Sequence, residues 1–192
     1  MTYTKHYTSP LGMILLAADD AGLTGLWFEG SKYFAAELPK EHTEQDTPVL
    51  LETTQWLDVY FAGKEPDFTP LLHLVGSDFQ QAVWNILLSI PYGRTMTYGQ
   101  IAKQLAKNTG IDKMSAQAVG GAVGHNPISI IVPCHRVVGA SGSLTGYAGG
   151  LDKKNRAVGA RKNRHRKIFP PEKGYGAVTR PYTRINEKIL RY

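Results

Sequence analysis

The sequence predicts an α/β (α+β) protein in which a small α/β unit is followed by a helical unit. Residues 3–28 contain three short apolar or aromatic segments separated by turn residues, a pattern typical of strands. Beyond residue 76, apolar side chains recur at the spacing of helices. Within 97–125, two short helices joined by a glycine-containing turn resemble a helix-turn-helix.

The N-terminal elements follow from this pattern. Strands are predicted at Thr2–Tyr7, Met13–Ala18 and Leu23–Phe28, with turns over 9–12 and 19–22. We expect a short helix over 31–38, a polar loop over 39–47, and a helix that Pro48 begins and Phe61 ends. Because the histidines of this half are scattered, we expect no metal site and no chemistry of its own here.

Three helices are predicted in the second half. Ser77 and Asp78 precede the first, Phe79–Ser89, as candidate N-caps. Thr97 caps the second, through Leu105, and after an eight- or nine-residue turn Ser115 caps the third, Ala116–His125. Three glycines in that last helix cost roughly 0.5–1 kcal/mol each relative to alanine. Either close helix packing or the close approach of a partner, such as a narrow DNA groove, would explain them.

Composition excludes several classes of protein. The chain has 192 residues, of which 42% are hydrophobic, enough for a buried core. No segment reaches the roughly 18 apolar residues of a membrane span, and the N-terminus lacks the apolar core of a signal peptide. One cysteine rules out an internal disulfide, so we expect a cytoplasmic protein without a membrane partner.

The charge is unevenly distributed. Residues 1–78 carry 4 basic and 12 acidic side chains, whereas 79–154 carry 7 and 2, and 155–192 carry 11 and 2. A basic second half favours an anionic partner there. Ordinary surface charge is the alternative explanation.

The single cysteine lies in the segment Pro133-Cys134-His135-Arg136, directly after the apolar run 128–132. A thiol is a strong nucleophile only as thiolate, which neighbouring cationic or proton-accepting groups favour. The pattern therefore indicates a reactive cysteine. A buried structural cysteine is the alternative.

Five ordered motifs resemble those of the O6-alkylguanine-DNA alkyltransferases. They are Thr97-Tyr-Gly-Gln-Ile-Ala, Ala118-Val-Gly-Gly-Ala, Asn126-Pro, Pro133-Cys-His-Arg-Val and Gly146-Tyr-Ala-Gly-Gly-Leu. The resemblance implies a ribonuclease-H-like domain over 1–76 and a winged-helix (helix-turn-helix) DNA-binding domain over 77–154.

The resemblance also implies the chemistry. A base flipped out of the duplex gives up its O6-alkyl group to Cys134, and O4-alkylthymine is expected as a second substrate. His135 matches the base that takes the thiol proton through a water, Tyr98 the donor to the leaving guanine, and Asn126 the brace of the active-site turn. Because a thioether does not revert to a thiol, each protein acts once, without a cofactor.

The expected partner is double-stranded DNA containing O6-alkylguanine, bound by a monomer. Family motifs and position together predict DNA contacts from Ser115, Gln117, Ala118, Gly121, Arg136, Tyr147 and Gly149. Gln117 stands where the family commonly has an arginine that fills the gap left by the flipped base. Glutamine brings no charge, so base flipping is expected to be weaker or differently supported.

Residues 155–192 depart from the family pattern, which has an apolar helix with a glutamate at position 161, where this chain has Arg161. Deleting one nucleotide before 155–162 permits the codons of Ile-Ala-Leu-Leu-Glu-Leu-Glu, so we interpret the tail as frameshifted and poorly ordered. Sequencing the source gene tests this. The alternative is a genuine basic extension that strengthens DNA binding.

Two other functions compete with alkyl transfer. A winged-helix regulator, or a sensor that binds alkylguanine without removing it, would need the DNA-binding unit but no nucleophile. A cysteine hydrolase is disfavoured because no oxyanion-binding or substrate-pocket pattern accompanies Cys134 and His135.

Overall fold

The computed structural model describes residues 1–143; the predictions for Tyr147, Gly149 and 155–192 lie outside these residues. The described strands are β1 Tyr3–Ser9, β2 Gly12–Asp19, β3 Gly22–Phe28, β4 Thr43–Glu44, β5 Met96–Thr97 and β6 Val137–Val138. The helices are α1 Pro48–Phe61, α2 Asp78–Leu88, α3 Tyr98–Thr109 and α4 Ala116–Gly124, followed by a 3-10 turn, Cys134–Arg136. No helix in 1–143 is both long and apolar enough to span a bilayer.

The N-terminal sheet has the strand order β3-β2-β1-β4. Strands β1, β2 and β3 form an antiparallel meander, and β4 pairs with β1 in parallel. The outer edge of β3 is covered by two single bridges, Leu23 to Leu72 and Leu26 to Ile128. The second bridge brings a segment of the C-terminal unit directly onto the N-terminal sheet.

Side-chain caps explain where the helices begin. Pro48 occupies the first turn of α1, and the hydroxyl of Thr47 accepts from the Leu50 N–H. Ser77 and Thr97 form capping boxes with the glutamines three residues later, at the starts of α2 and α3. The Ser115 hydroxyl accepts from the first turn of α4. The caps at Ser77, Thr97 and Ser115 are those that the sequence predicted, whereas the Thr47 cap was not predicted.

Beyond shifts of one or two residues at element ends, the structure differs from the predicted secondary structure in three places. Residues 31–38 form successive turns instead of a helix, since Ala35 has a φ of 51°. Ala35 and Leu38 pack against Trp27 on the outer face of the sheet, and this packing overrides helix propensity. The predicted loop 39–47 contains β4. Helix α3 runs past Leu105 to Thr109 and is capped by Gly110, whose φ is 71°.

One hydrophobic core joins the two halves. It contains the inner face of the sheet, Leu50 and Leu57 of α1, and buried residues of α2, α3 and α4. Trp84 of α2 is 1% exposed and donates its indole N–H to the Ala122 carbonyl of α4 at 2.9 Å. The helix-turn-helix of α3 and α4 therefore packs against α2 within the core that the two halves share.

Asp19 at the end of β2 links the segment 71–73 to the β2–β3 turn. One oxygen accepts from the Ala21 and Gly22 N–H groups, and the other from the His73 ring at 2.7 Å. Burial alone would raise the pKa of Asp19, but these hydrogen bonds outweigh it and lower the pKa.

We expect Asp19→Asn to lower the free energy of unfolding at neutral pH by about 1 kcal/mol or less, because the pair is partly exposed. A lowered pKa stabilises the fold above the unfolded value of about 3.9, and that gain disappears as pH falls through the folded value. Urea unfolding of both proteins at several pH values measures the difference. A difference that persists unchanged in acid would contradict this assignment.

Candidate active site

Two tight turns present the cysteine. The Ile131 N–H bonds the Ser129 carbonyl at 2.8 Å, which places Ile130 at a φ of 70°. The Cys134 N–H likewise bonds the Val132 carbonyl at 2.8 Å across Pro133. Positive φ at a β-branched residue costs on the order of 1–3 kcal/mol, so the surrounding structure has to hold this turn in place.

The edge of the N-terminal sheet supplies part of that support. The Leu26 N–H bonds the Pro127 carbonyl at 2.8 Å, and the Ser129 N–H bonds the Leu26 carbonyl at 3.0 Å. The segment that leads into the active-site turn is thus bonded to the edge of β3 through the isolated bridge between Leu26 and Ile128. The N-terminal half therefore positions the nucleophile, although the sequence predicted no role for it in the chemistry.

Asn126 connects the turn to the thiol. Its side-chain carbonyl accepts from the Ile128 N–H at 3.0 Å, and its Nδ2 donates to the Val132 carbonyl at 2.8 Å. The same Nδ2 lies 3.1 Å from Sγ of Cys134. Asn126 and Cys134 are 8% and 5% exposed. A buried N–H aimed at sulfur favours the charged form of the nucleophile.

His135 follows the cysteine in the 3-10 turn and is 2% exposed. Its Nε2 lies 3.3 Å from the hydroxyl of Tyr60, which belongs to α1. Burial raises the pKa of Tyr60 to about 12, so its phenol is neutral. Sequence reasoning placed Tyr60 only on the core face of α1, because nothing in its local pattern marks a partner 75 residues away.

Tyr98 is the first residue of α3, and its ring lies beside Gly120 of α4. Strand β5 ends just before Tyr98 and pairs with β6, which begins just after the 3-10 turn, so the two segments are adjacent. Burial, and then the charge of Cys134, raise the pKa of Tyr98. The structure thus brings Tyr98, Asn126, Cys134 and His135 into one site.

The first turns of α4 form an exposed surface next to that site. Its exposed residues include four of the predicted DNA contacts, Ser115, Gln117, Ala118 and Gly121. Apart from the adjacent residues and the backbone of its own helix, a Cβ added at Gly121 or Gly124 would meet no atom of residues 1–143 within 4 Å. Packing within this part of the protein does not require glycine at these two positions, which favours the close approach of an external partner.

Comparison with known proteins identifies the family. Residues 2–74 match the ribonuclease-like domain of 6-O-methylguanine DNA methyltransferase, and residues 78–161 match its DNA-binding domain. The chain belongs to this methyltransferase family. Its α/β N-terminal domain and helical DNA-binding domain confirm the fold class predicted from sequence.

Curated relatives of this methyltransferase carry the name methylated-DNA–protein-cysteine methyltransferase. The protein of Methanosarcina acetivorans is 48% identical over 153 residues, which cover 79% of this chain and 93% of that protein. The protein of Mycobacterium tuberculosis is 43% identical over 164 residues, covering 85% and 94%.

Solved structures give the same result for the fold of the methyltransferase. The crystal structure of Mycobacterium tuberculosis OGT in complex with DNA has a TM-score of 0.71 and 42% identity, covering 82% of this chain and 91% of that one. An O6-methylguanine DNA methyltransferase from Methanococcus jannaschii has a TM-score of 0.57 and 30% identity, covering 89% and 100%.

Arg136 of the methyltransferase lies away from the exposed surface of α4. Its guanidinium donates to the Ile90 carbonyl at 2.9 Å and stacks over the Tyr92 ring at 5.3 Å. It lines a cavity of about 590 Å³ behind the active-site turn, together with Trp56 and Phe68. Burial lowers the pKa of Arg136. This position favours an internal role for Arg136, whereas the sequence predicted a DNA contact.

Gln117 lies in the first, exposed turn of α4, as a residue inserted into DNA would require. We expect Gln117→Arg to raise the rate of repair of duplex DNA relative to single-stranded DNA, because a cationic side chain would fill the vacated stack and contact phosphates. Single-turnover rates on both substrates measure the ratio.

Gln104→Arg is the matched control for this prediction, since it adds the same charge at an exposed position of α3. It should leave the ratio of duplex to single-strand rates unchanged. If Gln117→Arg also leaves that ratio unchanged, Gln117 does not support the flipped state.

Proposed function

We propose that this protein repairs double-stranded DNA by moving the alkyl group of O6-alkylguanine, and of O4-alkylthymine, onto Cys134. One observation carries the proposal: Nδ2 of Asn126 lies 3.1 Å from Sγ of the buried Cys134. This thiol lies next to α4, an exposed helix with small side chains. The names of the relatives support it, since they act on methylated DNA and a protein cysteine.

The chemistry needs a base that has left the helical stack. O6 of a paired guanine is out of reach of a buried thiol, and flipping costs a few kcal/mol, least at a damaged pair. The turns of α4 around Ser115, Ala118 and Gly121 would lie in a DNA groove, and Gln117 would take the place of the base. Tyr147 and Gly149, which lie outside the described residues, would contact the flipped base.

The transfer itself is one displacement. The Cys134 proton passes to His135 through a water molecule, and the sulfur forms a bond to the alkyl carbon while the bond from carbon to O6 breaks. Guanine leaves with that electron pair and takes a proton from the Tyr98 hydroxyl. The tyrosinate then regains a proton through solvent as His135 releases the one it took from the thiol. Because Asn126 and Tyr98 are already in place, little reorganisation accompanies the change in charge.

The described residues contain no group of three or more metal-binding side chains. The displacement above uses groups of the protein and DNA together with one water molecule. The product is a thioether, which fixes the stoichiometry at one transfer per molecule. We further propose that the protein is a monomer in the cytoplasm, where a reducing environment keeps its single cysteine as a thiol. The division into a domain over 1–76 and a domain over 77–154 belongs to the same proposal.

Intact-mass spectrometry after incubation with duplex DNA containing O6-methylguanine tests the function. We expect the mass to rise by a single methyl group, located on Cys134 by peptide mapping, and the DNA to regain guanine. Binding of the modified duplex without any mass change would instead favour the sensor or regulator. Continued turnover at a constant protein mass would exclude a suicide reaction altogether.

A further inference from the structure

The hydrogen bond between the Tyr60 hydroxyl and Nε2 of His135 joins two buried side chains from the two halves of the chain. Tyr60 is 7% exposed, His135 is 2% exposed, and the hydroxyl lies 3.3 Å from Nε2. Tyr60 is held in turn by Trp56, whose ring stacks on it at 5.3 Å, and by the edge-on rings of Phe61 and Tyr92. Its hydroxyl therefore has little freedom to move away from the imidazole.

We propose that Tyr60 is a positioning residue for alkyl transfer, whose oxygen accepts Nε2–H of His135 and so leaves Nδ1 to take the thiol proton. A neutral histidine carries one proton, and the partner of one nitrogen decides where that proton resides. The inference rests on the proposed function, because it gives His135 the role of base toward Cys134.

The phenol suits this role because it stays neutral. Burial raises the pKa of Tyr60 to about 12, so at working pH the oxygen is an uncharged acceptor. When His135 gains the thiol proton, the bond from Nε2–H to that oxygen becomes charge-assisted and stronger. Tyr60 would therefore stabilise the pair of imidazolium and thiolate more than the neutral pair.

Other ionisable groups surround this bond and contribute to its pH dependence. Arg136, which follows His135 in the 3-10 turn, and Tyr92, which follows α2, interact electrostatically with Tyr60. Tyr98 on α3 interacts with Cys134, and Glu65 interacts with Arg136. The positive charge of Arg136 opposes a second positive charge on its neighbour His135. An oxygen acceptor at Nε2 offsets that repulsion.

Alkylation by iodoacetamide in the absence of DNA tests the inference, since the chain has a single cysteine and no repair activity is needed. Rates followed by intact mass between about pH 6 and 9 give the pH midpoint of the reaction. We expect Tyr60→Phe to raise the midpoint and to slow the reaction about three- to tenfold near neutrality, with the two rates converging in alkali.

Tyr7→Phe is the matched control, because it removes a hydroxyl that bonds Asp58, a neighbour of Tyr60 on α1, at 2.8 Å. It should leave the midpoint of Cys134 alkylation unchanged. A loss of rate by the same factor at every pH in Tyr60→Phe, or an unshifted midpoint, would show a packing role and overturn the proposal.

The variant His135→Ala provides a second test, in which the double variant is compared with His135→Ala. Combining the two changes should move the midpoint no further than His135→Ala does by itself, and a further shift would overturn the proposal. Methyl transfer from O6-methylguanine DNA is then measured for the same proteins. A shifted iodoacetamide profile without any methyl transfer would contradict the proposed function, while the control of thiolate formation by Tyr60 would stand.

Discussion

Cys134→Ser is expected to abolish alkyl transfer while DNA binding persists. A serine hydroxyl holds its proton at neutral pH, whereas a thiol next to hydrogen-bond donors and a base forms the nucleophilic anion. The change is small in volume, and Nδ2 of Asn126 can donate to oxygen as it does to sulfur. We therefore expect no detectable mass gain from O6-methylguanine DNA, and a dissociation constant within a few-fold of the unchanged protein.

Wild-type protein whose Cys134 has been alkylated beforehand with iodoacetamide is the control, since it keeps the surface of α4 but has a blocked sulfur. It should bind DNA and transfer nothing. Transfer undiminished in the serine variant would show that another residue receives the alkyl group. Loss of DNA binding together with transfer would show instead that the substitution disturbs the active-site turn.

The sequence predicted α1 to its ends because the signals there are local. Pro48 can occupy only the first turn of a helix without losing a hydrogen bond, and Thr47 supplies the cap. The starts of α2, α3 and α4 likewise depend on Ser and Thr side chains that bond residues two or three positions later. Such features need no knowledge of the rest of the fold.

The turn over 31–38 could not be predicted in the same way. Its Ala-Ala-Glu-Leu segment favours a helix, and the reason that it forms turns lies in β3, where Trp27 covers Gly25 and packs with Ala35 and Leu38. A Cβ at Gly25 would overlap the Trp27 ring, so the glycine makes room for the indole. Tertiary packing of this kind overrides the propensity of a short segment.

The residues of the candidate site likewise fall into those that local sequence patterns predict and those that only tertiary packing brings together. The motif around Cys134 marks the nucleophile, and the resemblance to a family supplies the roles of Asn126 and Tyr98. Neither indicates that the edge of β3 holds the turn through Leu26, nor that Tyr60 bonds His135. These contacts depend on how the two halves of the chain pack together, and the sequence pattern of neither half predicts them.

Tyr98→Phe is expected to slow transfer by about 10²-fold while changing DNA affinity by no more than about twofold. The ring would keep its place at the start of α3 beside Gly120, so only the proton donor is lost. That donor matters as negative charge develops on the departing guanine, and it matters little to the bound substrate. Burial and the nearby Cys134 raise the pKa of Tyr98 above its ordinary value of about 10, so the phenol keeps its proton throughout the working range.

Single-turnover transfer and equilibrium binding, measured on the same duplex, separate the loss of rate in Tyr98→Phe from any loss of affinity. Tyr33→Phe is the matched control, since the Tyr33 ring packs on His125 at the C-terminal end of α4, with 4.3 Å between the ring centroids. It should leave both quantities close to those of the unchanged protein. If binding and rate fall by equal factors in Tyr98→Phe, the hydroxyl positions the base before reaction, and the proton reaches guanine from another donor.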